Sequence, residues 1–165
     1  MKRMATLELH KDAFSFSAGH FTVFSATLRE DLHGHNYYVN LEMKVELNDN
    51  GMAFDYRLYK AKLKSLCDKL DRRFLLPEKS KYLRLEETDD MWLAHFNNER
   101  IPFLKRDVVT LPISNVTIEE LSHWFLEELT RDPADLTHNG IQAITIRVFN
   151  GPDQSGAAEW KSRDS

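Results

Sequence analysis

From Tyr37 to Leu47 every second residue is apolar: Tyr37, Val39, Leu41, Met43, Val45 and Leu47, with Asn40, Glu42, Lys44 and Glu46 set between them. An extended chain points alternate side chains to opposite faces, so residues 35–47 read as a strand with one buried face. Such a face must be covered, and two segments have the helical period to cover it. Residues 56–71 place Leu58, Leu63, Leu66, Cys67 and Leu70 near one side, and Pro77 bars a long continuation. Residues 117–130 open on Thr117-x-x-Glu120, a capping box, and carry Leu121, Phe125, Leu126 and Leu129 on their apolar side.

Further strands fit around this centre. Residues 5–18 alternate through Leu7 and Leu9, then through Phe14, Phe16 and Ala18 on the other parity, which predicts one strand with a bulge near 11–13. His20 continues the second parity, residues 21–32 read as a loop expected to move, and Asn48-Asp49-Asn50-Gly51 is a turn by composition. Residues 81–86 and 91–96 look like a short hairpin, 106–113 like a short strand or extended segment, and 141–149 and 157–161 like a final strand pair. The order predicts an α+β fold: an antiparallel sheet with two helices on one face, and open edges that invite oligomerisation.

The chain has 165 residues, enough for a single domain spanning 1–165. A net charge of −4 lends no support to a nucleic-acid partner. No apolar run nears the ~20 residues of a membrane helix, so no membrane partner is expected. The N-terminal MKRMATLELH lacks an apolar signal core, and the one cysteine, Cys67, has no internal disulfide partner, so the expected location is cytoplasmic. Cys67 lies at an apolar helix position and reads as a core residue.

Three of the seven histidines fall within sixteen residues: His20, His33 and His35. Residues two apart on a strand point the same way, so His33 and His35 can reach one point, and an antiparallel return brings His20 alongside. Three imidazoles without a thiolate are the donor set of a catalytic zinc site, which keeps a fourth position open for substrate or water. An ordinary surface strand pair is the competing reading of His33-Gly34-His35. His10, His95, His123 and His138 show no such pattern and read as surface or helix residues.

FSAGH at 16–20 and LHGHNY at 32–37 resemble the 6-pyruvoyltetrahydropterin synthase family, which includes the 6-carboxytetrahydropterin synthases. The resemblance runs from about residue 7 to residue 160 and takes in the turn-to-helix at 51–56, LDRRFLLP at 70–77, Thr-x-Glu at 117–119 and the final strand pair. It implies zinc on His20, His33 and His35. It implies the tunnelling fold (T-fold), in which a trimer closes its sheets into a barrel, two trimers stack into a homohexamer, and the active sites lie between subunits. It also implies lyase chemistry on 7,8-dihydroneopterin triphosphate or a close relative, with Asp55, Thr117, Glu119 and Asn150 in the substrate pocket.

Three departures from the family pattern stand out. No cysteine precedes the His-Gly-His, where the base is usually found. Arg72 follows Asp71 where a histidine is expected, and Asn150 stands where a glutamate would anchor the pterin ring. Arg29-Glu30-Asp31-Leu32-His33 is instead similar to the type-III subgroup, in which glutamate replaces the cysteine and the side chain is cleaved to 6-hydroxymethyl-dihydropterin. That resemblance makes Glu30 the base and Asp71 the reserve; a solvated loop charge is the competing reading of Glu30. Arg72 cannot relay a proton, but it can pair with Asp71 or grip a phosphate. Asn150 suits a ring edge of mixed polarity or a weaker hold on pterin. An altered substrate and a non-catalytic ligand-binding module both stay open on these residues.

Overall fold

The computed structural model describes residues 3–10 and 12–162. In chain order the elements are β1 (Met4–Leu9), β2 (Ser15–His20), β3 (His33–Glu46), α1 (Arg57–Leu70), β4 (Arg73–Pro77), β5 (Leu83–Glu87), β6 (Met91–Phe96), β7 (Glu99–Leu104), β8 (Val108–Leu111), α2 (Ile118–Leu129), α3 (Pro133–His138), β9 (Ile141–Phe149) and β10 (Ser155–Lys161).

The alternating strand is β3, the spine of a seven-stranded sheet ordered β10-β9-β3-β2-β4-β8, with β1 also on β3. At 14 residues β3 is long enough to take two shorter partners along one edge. Its first half pairs with β2, from His20↔His33 to Ser15↔Tyr38, and its second half pairs with β1, from Leu9↔Leu41 to Met4↔Glu46. The single bulged strand expected over 5–18 is therefore two strands, parted by a turn at Asp12–Ala13; residue 11 of the expected bulge lies outside the described residues. On its other edge β3 pairs antiparallel with β9, which pairs with β10.

The antiparallel expectation holds for these five strands and needs correction for the other two. β4 pairs parallel with β2, and β8 pairs parallel with β4. The cause is the connection. β2 and β4 are separated in the chain by β3 and α1, a connection long enough to bring the chain back beside β2 in the same direction. The hairpin expected near 81–96 gains a third strand, β7, and forms a separate small sheet ordered β5-β6-β7.

Tyr37, Val39, Leu41, Met43 and Val45, the expected buried face, are each 1% exposed or less. They pack against Tyr59, Leu63, Cys67 and Leu70 of α1 and Leu121, Phe125 and Leu129 of α2. Two expected helices become three. Asp132 caps α3 by accepting from the Ala134 and Asp135 amides, Pro133 opens its first turn, and Leu136 enters the same core. The capping box on α2 is half formed: Thr117 Oγ1 accepts from the Glu120 amide, while the Glu120 carboxylate takes the Ser114 amide instead.

A second core joins the small sheet to the segment after β2. Phe21 and Val23 pack with Leu76, Leu83, Ala94, Phe96 and Val108. Residues 21–32, read as a free loop, are thus anchored at their start by apolar burial. A Val23↔Arg29 bridge then closes them, and the Phe24 and Ser25 amides both donate to the Leu28 carbonyl.

Candidate metal centre and active site

His20 ends β2 on the parity of Phe16 and Ala18, directly opposite His33 at the start of β3. His35 lies opposite Ala18. The hairpin therefore puts all three rings on one face, with centroids 4.5, 5.1 and 4.8 Å apart. One ligand atom from each lies within 4.8 Å of the others, and the His33 and His35 Nε2 atoms are 3.1 Å apart. Two nitrogens bound to one tetrahedral zinc at about 2.0–2.1 Å would sit about 3.3 Å apart. The spacing already approaches a shared centre.

Backbone carbonyls set the tautomers. His20 Nδ1 lies 2.8 Å from the Val116 carbonyl, and His33 Nδ1 lies 2.7 Å from the Asp31 carbonyl. A carbonyl only accepts, so each Nδ1 carries the proton and each Nε2 turns a lone pair inward. The Nε2 of His20 is buried and has no hydrogen-bond partner among the described residues, while the residue is 4% exposed. Leaving such an acceptor unpaired is costly, and a cation at this point satisfies it. Burial holds His20 below the ordinary imidazole value against the pull of the Val116 carbonyl, and the neighbouring imidazoles add to the fall. Burial, then the charge on His33, does the same to His35. Neutral imidazoles are the form that binds metal. The donor set fits zinc.

Glu30 stands beside this centre. Its Oε2 accepts from the Thr22 amide at 2.8 Å and lies 3.9 Å from His33 Nε2. Its own amide donates to the Thr22 carbonyl at 2.9 Å. Burial pushes the Glu30 carboxyl up, but the hydrogen bonds from Thr22 and then the charges on His20 and His33 outweigh it, so the net shift is downward. At neutral pH it is an ionised proton acceptor. Arg29 braces the loop from the other side: it pairs with Glu99 at 2.6 Å, lies over the Phe21 and Phe96 rings, and donates to the Glu30 carbonyl at 2.7 Å. Glu30 therefore faces the histidines rather than turning away.

The other expected residues are spread out. Asp71 caps the end of α1 and accepts from the Ser17 amide at 2.9 Å, with Arg72 Nε 3.3 Å from its second oxygen. Arg72 has φ +57°, its amide donates to the Ser17 carbonyl, and its side chain is 88% exposed. Both contacts are with the Ser17 backbone rather than its side chain. Arg72, Arg73 and Asp107 line a cleft of about 520 Å³ with Ser17, Asn36 and His35 of the triad. Asn150 follows β9, accepts from Gln154, and lines a neighbouring cleft of about 740 Å³ with Asn36, Tyr38 and His35 of the triad. Thr117 is brought next to Val116, the carbonyl partner of His20, and Glu119 is exposed on the first turn of α2. Asp55 is engaged by Arg57 through two oxygens and meets no member of the triad.

Cys67 is fully buried in α1, with its thiol pushed up to about 12 by burial, so it is a core residue as expected. His95 is more than a surface residue: its Nε2 lies 2.7 Å from Glu86. The sequence reading missed Thr22 and the Val116 carbonyl, which hold the site through backbone groups, and Asn115, which does so through its side-chain amide.

Relatives agree with this picture. A family model described as 6-pyruvoyl tetrahydropterin synthase matches residues 8–160. Over 140 residues the chain is 29% identical to a Methanocaldococcus jannaschii protein provisionally named 6-carboxy-5,6,7,8-tetrahydropterin synthase, covering 84% of this chain and 85% of that protein. The crystal structure of 6-pyruvoyl tetrahydropterin synthase from Plasmodium vivax is similar with a TM-score of 0.91 and 30% identity, over 97% of this chain and 99% of that one. A variant of the Plasmodium vivax protein, described as a catalytic-residue mutant in which a glutamate becomes alanine, gives a TM-score of 0.91 at 29% identity over 97% and 99%. The subunit has the T-fold of these neighbours, and the chain belongs to the 6-pyruvoyl tetrahydropterin synthase family.

Proposed function

We propose that the chain is a cytoplasmic, zinc-dependent lyase that cleaves the side chain of 7,8-dihydroneopterin triphosphate or a closely related pterin. The observation that carries this reading is the ionised Glu30 carboxylate 3.9 Å from His33 Nε2, beside three imidazoles whose ligand atoms lie within 4.8 Å of one another. His20, His33 and His35 would hold the zinc. Zinc bound there polarises a substrate oxygen and eases loss of its proton. Glu30 takes the proton of a side-chain hydroxyl; the freed electron pair closes a carbonyl as the neighbouring carbon–carbon bond breaks, that bond's electrons pass to the carbon left on the pterin ring and into the ring, and the proton taken by Glu30 is returned to that carbon. The glutamate named as a catalytic residue in the Plasmodium vivax relative supports a carboxylate in this role. Asp71, already committed to the Ser17 amide and to Arg72, is the reserve base.

Asp55, Thr117, Glu119 and Asn150 contact the substrate in this reading. They are dispersed in one chain, so a neighbouring subunit completes each pocket. The β10 and β8 edges of the sheet are where copies join into trimers, and two trimers make the homohexamer. Asn150 offers one acceptor and one donor where a carboxylate would offer two acceptors, which shifts the substrate toward a ring edge of mixed polarity. Folate and deazapurine (queuosine) biosynthesis both supply substrates of this class.

The test is to incubate zinc-loaded protein with 7,8-dihydroneopterin triphosphate and identify the products by mass. A cleaved side chain supports the reading. Substrate bound but returned intact favours a ligand-binding module, and a monomer in light scattering at micromolar concentration removes the shared pocket.

A further inference from the structure

We propose that Asn115 is a positioning residue that ties the Glu30 loop to the His20 ligand through one side-chain amide. Asn115 lies in the segment before α2 and carries no charge or nucleophile. Its Oδ1 accepts from the Val23 amide and from the Val116 amide, each at 3.1 Å, and its Nδ2 donates to the Val23 carbonyl at 2.8 Å. The orientation of the amide is dictated by its partners: two N–H donors face the oxygen and one carbonyl faces the nitrogen. Asn115 thus pairs with Val23 as a neighbouring strand would, using a side chain in place of a backbone.

Both halves of the site hang from these contacts. On one side, Val23 follows Thr22, whose amide holds the Glu30 carboxylate at 2.8 Å and whose carbonyl takes the Glu30 amide at 2.9 Å. On the other side, Val116 offers its carbonyl to His20 Nδ1 at 2.8 Å. The base and a metal ligand are therefore indexed to the same half-buried amide. Val23 is 6% exposed and Val116 is fully buried, so removing the amide strands backbone groups that water reaches poorly. The loop end and the carbonyl that orients His20 then shift relative to each other.

This inference rests on the triad being a metal centre. Co²⁺ and Zn²⁺ affinities are measured by competition with a chelator for the wild type, N115A, N115D and N139A, together with the visible Co²⁺ absorption bands and thermal midpoints. Asn139 is the control: its amide makes two bonds at 2.9 Å to Asp135 and touches no part of the triad. N115A should weaken metal binding about 10-fold or more, the usual scale for losing support behind a ligand, and should change the Co²⁺ bands. N115D keeps both acceptor contacts but sets a charged carboxylate oxygen against the Val23 carbonyl in place of the donor, so it should also bind metal more weakly than the wild type. N139A should bind metal normally even at an equal loss of thermal stability. Wild-type affinity and bands in N115A overturn the proposal, as does an equal loss in N139A. Should N115A not fold, N115D decides, and wild-type binding in it overturns the proposal. No metal uptake by the wild type overturns the metal-centre reading itself and the proposal with it.

Discussion

The imidazole-bearing inner face of the β2–β3 hairpin and the clefts beside it differ in how firmly one chain holds its side chains. On the inner face, His20 and His33 each have a backbone carbonyl behind the ring, and Glu30 has a backbone amide on its carboxylate. In the clefts, the Arg72 side chain is 88% exposed and the Asn150 side chain accepts from Gln154. Burial is not the cause, since the His33 and Glu30 side chains are 36% and 34% exposed; hydrogen bonds to backbone groups fix them. In the proposed reading, one subunit builds the metal face and a neighbouring subunit closes the substrate pocket.

Four measurements would break or sharpen that contrast. The largest effect belongs to the metal ligands. His33→Ala removes one of three donors, and metal analysis should find most of the zinc gone; retention of wild-type zinc would mean that the inner face is not the metal face. Glu30→Gln keeps shape and hydrogen bonding and should lower turnover at least ~100-fold, the usual scale for a lost general base, with zinc content unchanged. If Asp71→Asn abolishes turnover while Glu30→Gln does not, the two carboxylates exchange roles.

A smaller effect is expected outside the metal face. Asn150→Glu restores two acceptors for pterin donors and should lower KM for a pterin substrate about tenfold, in line with the ~1.5–3 kcal/mol of a charge-assisted hydrogen bond partly offset by desolvation. An unchanged KM would take Asn150 out of the substrate pocket. The smallest effect tests the scaffold away from both regions. Asp135 accepts from the Tyr59 hydroxyl at 2.9 Å and from Lys62 at 3.0 Å. Burial pushes its carboxyl up, but the bonds from Lys62 and Tyr59 bring the net value below the ordinary one. A depressed folded-state pKa stabilises above the unfolded value, and that stabilisation is lost as pH falls through the folded value. Asp135→Asn should therefore cost about 1 kcal/mol at neutral pH, a drop of about 2–4 °C in thermal midpoint. The difference from wild type should close in acid below the usual carboxylate range, and a difference that persists there would assign the effect to packing.

Much of the inner face is visible in the linear chain. The period of two from Tyr37 to Leu47 marks the core side of β3, and His33 and His35 share a side because residues two apart on a strand must. Thr117 announces the start of α2 by its hydroxyl alone. These features are local, so local periodicity reports them. The resemblance carried by Arg29-Glu30-Asp31-Leu32-His33 added Glu30, which spacing alone leaves as a solvated charge.

Tertiary structure decided the rest. Residues 74–77 are a short apolar run, and nothing in them states that β4 pairs parallel with β2; the long connection through β3 and α1 allows it. The six residues of α3 are too few for a helical period to show. The sequence did not reveal that Asp71 would accept from the Ser17 amide across 54 positions. Nor did it mark Asn115, whose partner Val23 is 92 residues away. Periodicity determines which side of its own element a residue occupies. Which elements meet, and in what register, is set by chain crossings and packing over long separations, and the support behind His20 and Glu30 is made there.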